Sequence, residues 1–188
     1  MSKRVVAILG GPHKNGITAN MLNHAVNKAE KCGYTVDVVH LYEKNIRFCT
    51  GCRACMQKER CVIMDDIQPI TDLIKQCDIL IISAPVYWAN VPAAVKNLFD
   101  RLFGAAMLET KAFPKPRLKG KKYIILTSCD TRSPFSWIFG QSRGIIHNID
   151  EFCKTAGMKP IKKVVCADAI NTSKLSPRLI NKIESCFK

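Results

Sequence analysis

The feature that most restricts the fold is an alternation of short apolar runs, each of strand length, with longer stretches of helical spacing. Val5–Leu9 is continuously apolar and ends in Gly10-Gly11, the pattern of a buried parallel strand feeding a tight turn. Thr18 is placed to cap a helix from Ala19 to about Cys32, with Met21, Leu22, Ala25 and Ala29 on one face and Gly33 as its stop. Val36–Leu41 reads as a second strand. Asp65 and Asp66 open a helix carrying Ile67, Ile70, Leu73 and Ile74 at helical spacing. The run Asp78–Ser83 is the most hydrophobic of the strands and is expected near the sheet centre. A helix over Val91–Phe103, a strand over Tyr123–Ser128, a helix over Gln141–Ala156 and a strand over Ile161–Ala167 follow. Ser176-Pro177 then supplies a cap and a first-turn proline for a last helix. Five strands interleaved with helices predict one doubly wound α/β domain over residues 1–188, with strand order 2-1-3-4-5.

One loop, about residues 48–64, breaks the alternation. It holds Cys49, Cys52, Cys55 and Cys61, separated by two, two and five residues. Three thiolates from one tight turn and a fourth nearby are what a single iron–sulfur cube requires. Zinc fits less well, because zinc sites pair two well-separated Cys-x-x-C units. With no apolar stretch near the roughly 20 residues of a membrane span, the expected setting is cytoplasmic, where clustered cysteines read as a metal or redox site rather than as disulfides. The remaining six of the ten cysteines are scattered, mostly in apolar segments, and read as buried free thiols, with Cys129 the exception.

The net charge is +14, and its densest source is the acid-free run Lys111, Lys115, Arg117, Lys119, Lys121 and Lys122. No nucleic-acid-binding motif accompanies it, so a nucleic-acid role is not expected. A solvated loop is the bland reading. The functional one is a surface that steers an acidic protein, such as a small ferredoxin.

In an open α/β sheet, ligands bind beyond the carboxyl ends of the strands. Three segments fall there. G-G-P-H-K-N-G-I-T (residues 10–18) offers small residues and donors before a helix N-terminus, and lacks both the phosphate-loop and the dinucleotide glycine patterns. S-A-P-V-Y-W-A-N-V-P (83–92) is a stiff loop able to flank a planar ring. T-S-C-D-T-R-S-P-F-S-W (127–137) supplies hydroxyls, a thiol and Arg132. The first two segments, together with C-x-x-C-x-x-C-x5-C-V-I-M-D-D and the continuation A-A-V-K-N-L-F-D-R, resemble the flavodoxin-like FMN reductase superfamily, and within it most the iron–sulfur flavoproteins.

The resemblance covers the chain well to about Arg101. It implies a flavodoxin-like fold, FMN held by the three loops, a [4Fe-4S] cluster on Cys49, Cys52, Cys55 and Cys61, and assembly into dimers or tetramers. The phosphate would fall on Gly11, His13, Asn15, Gly16, Ile17 and Thr18. The ring would fall on Pro85, Val86, Tyr87, Trp88 and Asn90, with Thr127 and Cys129 at its edge. The pattern departs from the family's at Gly11, His13 and Ile17, where serine, arginine and asparagine are usual. The implied function is an FMN-dependent oxidoreductase using NAD(P)H or ferredoxin as donor and a small-molecule acceptor. Two alternatives remain: an FMN-only NAD(P)H reductase of quinones, nitroaromatics or flavin, and a non-enzymatic electron carrier. No catalytic acid or base is needed, since flavin chemistry belongs to the cofactor. Asp65-Asp66 reads as helix capping, and Asp100-Arg101 as an ion pair at a helix end.

Overall fold

The continuous apolar runs form the middle of a parallel sheet covered by helices on both faces. In the computed structural model, which describes residues 2–187, the strands are β1 (Arg4–Leu9), β2 (Thr35–His40), β3 (Ile79–Pro85), β4 (Met107–Leu108), β5 (Lys115–Pro116), β6 (Lys122–Cys129) and β7 (Lys159–Ala167). The helices are α1 (Ile17–Lys31), α2 (Cys55–Lys58), α3 (Ile67–Gln76), α4 (Ala93–Arg101), α5 (Phe103–Ala106), α6 (Phe135–Ile138), α7 (Gln141–Thr155) and α8 (Pro177–Glu184). The main sheet runs β2-β1-β3-β6-β7, all parallel, while β4 and β5 form a separate antiparallel ribbon. Counting only the main strands, this is the expected order 2-1-3-4-5 in a flavodoxin-like fold.

Strand parity sorts the core. Val6, Ile8, Ile82 and Ile125 face α3, α4 and α7, and Val5, Ala7, Leu9, Ile81 and Leu126 face α1 and α8. Each such fully buried aliphatic side chain contributes about 1.5–3 kcal/mol. Because β3 is central, Ile79 to Ala84 are buried without alternation. The outer strands are half-exposed, and β7 carries Lys159, Lys162 and Lys163, charges that discourage pairing with another edge. One buried polar network is fully used: Tyr123 donates to Asp150 at 2.6 Å, and Lys163 and Lys154 also reach that carboxylate.

Several local expectations are corrected. The helix predicted over Val91–Phe103 is two helices, since Pro92 caps α4 and the chain turns at Leu102 into α5. Thr18 is not the cap of α1. Extended Gly16 is, its carbonyl accepting from Asn20 N at 2.9 Å. The basic run is not one solvated loop. Arg117 donates to the carbonyls of Gly104 and Met56 and pairs with Glu59, and Lys121 donates to the carbonyls of Lys75 and Cys77. Among the described residues, no helix is long and apolar enough to cross a membrane.

Candidate functional site

A cleft opens at the carboxyl ends of β1, β3 and β6. Its first wall is the β1–α1 turn. Gly10 N donates to Ser83 O at 2.7 Å, locking β1 to β3, and a Cβ on Gly10 would lie 2.3 Å from Val95 Cγ2. A Cβ on Gly11 would press on the Pro85 ring at 3.0 Å and on Thr18 Oγ1 at 3.3 Å. The unusual glycine at position 11 therefore matches a close approach of the turn to the Pro85 ring and the Thr18 hydroxyl. Gly16 N donates to His13 O at 3.2 Å, and Ser83 Oγ donates to Thr18 O at 2.7 Å, fixing the helix start against β3. The cap residue offers no side-chain acceptor, and no acid stands in the first turn. The leading amides of a 15-residue helix are thus left for an anion, with the positive end of the helix dipole behind them.

The second wall is the loop after β3. Val86 N donates to Ser128 O at 2.9 Å, extending the sheet by one bond. Tyr87 and Asn90 then exchange both backbone bonds across a two-residue turn. The central residues, Trp88 and Ala89, have φ of 51° and 57°. Two consecutive left-handed residues make the hairpin turn that glycine and asparagine normally supply. Holding non-glycine residues there costs about 1–3 kcal/mol each. The turn is seated on α7 at Gly144, where any Cβ would fall 1.9 Å from Ala89 O. The third wall is the end of β6.

Around a half-open volume of about 220 Å³ stand Gly11, His13, Gly16, Ile17 and Thr18, with Pro85, Val86 and Tyr87 opposite. Of the predicted residues, these eight line the cleft. Asn15 is exposed outside it, and Trp88 is fully exposed at the tip of the turn. Asn90 spends its side-chain oxygen on Val91 N at 2.7 Å. Thr127 and Cys129, expected at the ring edge, are both buried and do not line the cleft, and the Cys129 thiol turns to Gln141 Oε1. Strand alternation sends positions 127 and 129 toward α7 and leaves Ser128 and Asp130 facing the cleft. Those two, with Pro12 and Ala169, are the lining residues that sequence reasoning missed. Counting parity along β6 from the core residues Ile124 and Leu126 would have found Ser128.

The cysteine loop packs on α4 and α5. All four thiols are free. Among the described residues, no three metal-ligating side chains are gathered closely enough to hold an ion, so the loop does not present a closed cage. Its two halves differ. Cys49 and Cys52 are exposed, on backbone that passes through positive φ at Gly51 and Arg53. Hydrogen bonds from Ala54 N and the Thr50 hydroxyl hold the Cys52 thiol below its ordinary pKa. Cys55 and Cys61 are half-buried. Burial pushes the Cys55 thiol up, and a Cβ on Gly104 would strike the Cys55 carbonyl oxygen at 2.2 Å.

Arg101, fully buried, anchors the loop. It pairs with Asp65 rather than its neighbour Asp100, donating to both carboxylate oxygens at 2.8 and 3.0 Å, and Asp100 pairs with Lys96. Adjacent helical residues point in different directions, which rules out the expected Asp100–Arg101 pair. Asp65 Oδ1 also accepts from Ile67 N at 3.1 Å, whereas Asp66, the N-cap residue of α3, makes no side-chain cap bond and instead accepts from Asn45 N at 2.7 Å, which corrects the reading of the pair as helix caps. Burial pushes the Asp65 carboxyl up, but Arg101 and the amides of Ile67 and Arg47 outweigh it and hold it below the usual carboxylate range.

The sequence profile of the family described as NADPH-dependent FMN reductase matches residues 3–136, well over half of the chain. An iron–sulfur flavoprotein of Archaeoglobus fulgidus is 37% identical over 118 residues, covering 63% of this chain and 50% of that protein. An iron–sulfur flavoprotein of Methanosarcina thermophila is 33% identical over 110 residues, covering 58% and 56%. The chain thus spans about half the length of the curated relatives it matches. Among solved structures, the NAD(P)H:quinone oxidoreductase of Methanothermobacter marburgensis superposes with a TM-score of 0.77 over 99% of this chain and 96% of that one, at 15% identity. At that identity the likeness is one of fold.

Proposed function

The chain belongs to the NADPH-dependent FMN reductase family, and on that footing we propose that it is an FMN-dependent oxidoreductase. In this reading it takes electrons from NAD(P)H or an acidic ferredoxin and passes them to a small-molecule acceptor. The observation that carries the reading is the cleft between the uncapped start of α1 and the Pro85–Tyr87 loop. Its α1 wall carries no acid, and backbone amides with the Thr18 hydroxyl replace the side-chain contacts absent at Gly11 and Ile17. A volume of about 220 Å³ is below the roughly 300–1,000 Å³ of pockets that enclose a whole ligand. The phosphate and ribityl end would therefore sit inside, with the ring across the rim at Val86 and Tyr87. FMN, once bound, supplies the one- and two-electron chemistry; the protein binds and orients it.

The cysteine loop is read as the seat of a [4Fe-4S] cluster that would pass single electrons to the flavin. The donor set suits it: four free thiols on one short segment, with N–H groups already aimed at sulfur, Gly51 N at Cys49 and Arg101 Nε at Cys61. Cys49 and Cys52 would swing inward to join Cys55 and Cys61. A second reading, an FMN-only reductase of quinones, nitroaromatics or flavin, is favoured by the ungathered thiols. The exposed apolar run Phe135, Trp137, Ile138 and Phe139 is the proposed contact for a homodimer or homotetramer.

Anaerobically purified protein tests the reading. Flavin absorption together with iron and acid-labile sulfide is the expected result. Flavin without iron leaves the second reading, provided NAD(P)H oxidation persists when all four loop cysteines are serine. Protein that neither retains nor rebinds FMN overturns both.

A further inference from the structure

Of the residues lining the strand-tip cleft, His13 is the one with a basic side chain. The β1–α1 turn folds it back over the helix start. Gly16 N donates to His13 O at 3.2 Å, and a Cβ on Gly16 would lie 3.3 Å from His13 Cβ. The residue thus stands beside the uncapped amides that open α1. The fixed cations nearby are spent elsewhere: Lys14 pairs with Glu43, and Arg132 donates to Asp168 at 2.9 Å. Two other titratable groups share the cleft with His13, Asp130 from the loop after β6 and Tyr87 from the loop after β3. Asp130 brings a carboxylate to the space an anion would enter, which makes the charge on His13 matter more.

We infer that His13 is the residue by which this cleft tells a phosphorylated flavin from an unphosphorylated one, and that it does so only while its imidazole carries a proton. The inference rests on the FMN reading above and deepens it. The helix start and the Thr18 hydroxyl would hold the phosphate at any pH, and His13 adds a positive charge that alkali removes. Histidine is the side chain whose charge ordinarily changes between about pH 5 and pH 8, whereas carboxylates and phenols change theirs well outside that window. A bound phosphate favours the protonated imidazole, so by linkage FMN affinity is highest at the acid end and falls as the pH rises. The second ionisation of the phosphate itself, near pH 6, works in the opposite sense, because a dianion is the better ligand for a positive helix end. The direction of the pH dependence therefore separates the two.

The test titrates FMN and riboflavin into the full chain after removal of any flavin, with quenching of flavin fluorescence as the readout. Between about pH 5.5 and pH 8.5, FMN binding to wild type should weaken about tenfold, while riboflavin, which lacks the phosphate, should not respond. His13→Arg should abolish the fall and keep the tight value throughout. His13→Gln should bind FMN at every pH as weakly as wild type does at the alkaline end. Should either variant fail to fold, calorimetry of wild type at about pH 7, in two buffers of different ionisation enthalpy, serves instead. FMN binding should take up a fraction of a proton there, and riboflavin binding none. The inference is overturned, with FMN left as the cofactor, by an FMN affinity that is flat or rises with pH, by a fall that riboflavin shares or that persists in His13→Arg, or by proton release on binding. Protein that binds neither flavin at any pH overturns both readings.

Discussion

The strand-tip cleft and the cysteine loop are held by different kinds of contact. The cleft is made of backbone. Gly10 bonds to Ser83, Val86 to Ser128 and Tyr87 to Asn90, and glycines at 10, 11 and 144 admit the neighbouring chain. The cysteine loop has one short helix of its own and hangs from side chains: Arg101, Arg117, Asn97 and Asp65. Backbone frames are stiff and tolerant of side-chain change. Side-chain tethers concentrate the stability of a whole segment in a few atoms, and leave the parts between them free to rearrange around a guest.

The largest break in this contrast should come from Asp65→Ala. It strands a fully buried guanidinium, a change that typically costs about 3–5 kcal/mol. Urea denaturation followed by circular dichroism measures the loss, and amide exchange should show it first in residues 47–65 and last in the cleft. On the other side, Gly144→Ala forces a Cβ into the Ala89 carbonyl and should cost about 1–3 kcal/mol by overpacking. FMN titration should show weakened binding there, with loop exchange unaltered.

Acid should separate the two regions as well. The Asp65 carboxyl is held low in the folded state, so its contribution is complete above the unfolded carboxylate pKa of about 4 and is lost as pH falls through the folded value. Loop amides should lose protection below about pH 4 ahead of those in β1 and β3. In Asp65→Asn that pH dependence should vanish. Within the loop, iodoacetamide at neutral pH on iron-free protein should modify Cys52 several-fold faster than Cys55, read by peptide mass spectrometry. One thiol is exposed and pushed down, the other half-buried and pushed up. The smallest effect belongs to Lys96→Ala, which removes an exposed i,i+4 pair worth about 0.3–0.5 kcal/mol and should disturb neither region.

The same contrast explains what the sequence made legible. Backbone frames announce themselves through local pattern: Gly10-Gly11 after an apolar run, or Pro85 and Pro92 bracketing a stiff loop. The sheet order and the first two cleft walls follow from such signals. Side-chain tethers join residues far apart in the chain. Arg101 reaches 36 positions back to Asp65, and its neighbour Asp100 was the misleading local choice. Arg117 and Lys121 hid in what read as a solvated basic run for the same reason. At the end of β6 the cleft is lined by Ser128 rather than by Thr127 or Cys129, a single step of strand parity that Ile124 and Leu126 already set.

Both tryptophans of this chain lie near the surface, Trp88 at 100% exposure on its turn and Trp137 at 52% on α6. Their indoles are already wet, so chemical unfolding should scarcely shift their emission colour. A flavin, a nicotinamide or a second subunit settling over that end of the molecule should quench or blue-shift it. Intrinsic fluorescence is thus a poor thermometer for this protein and a good doorbell.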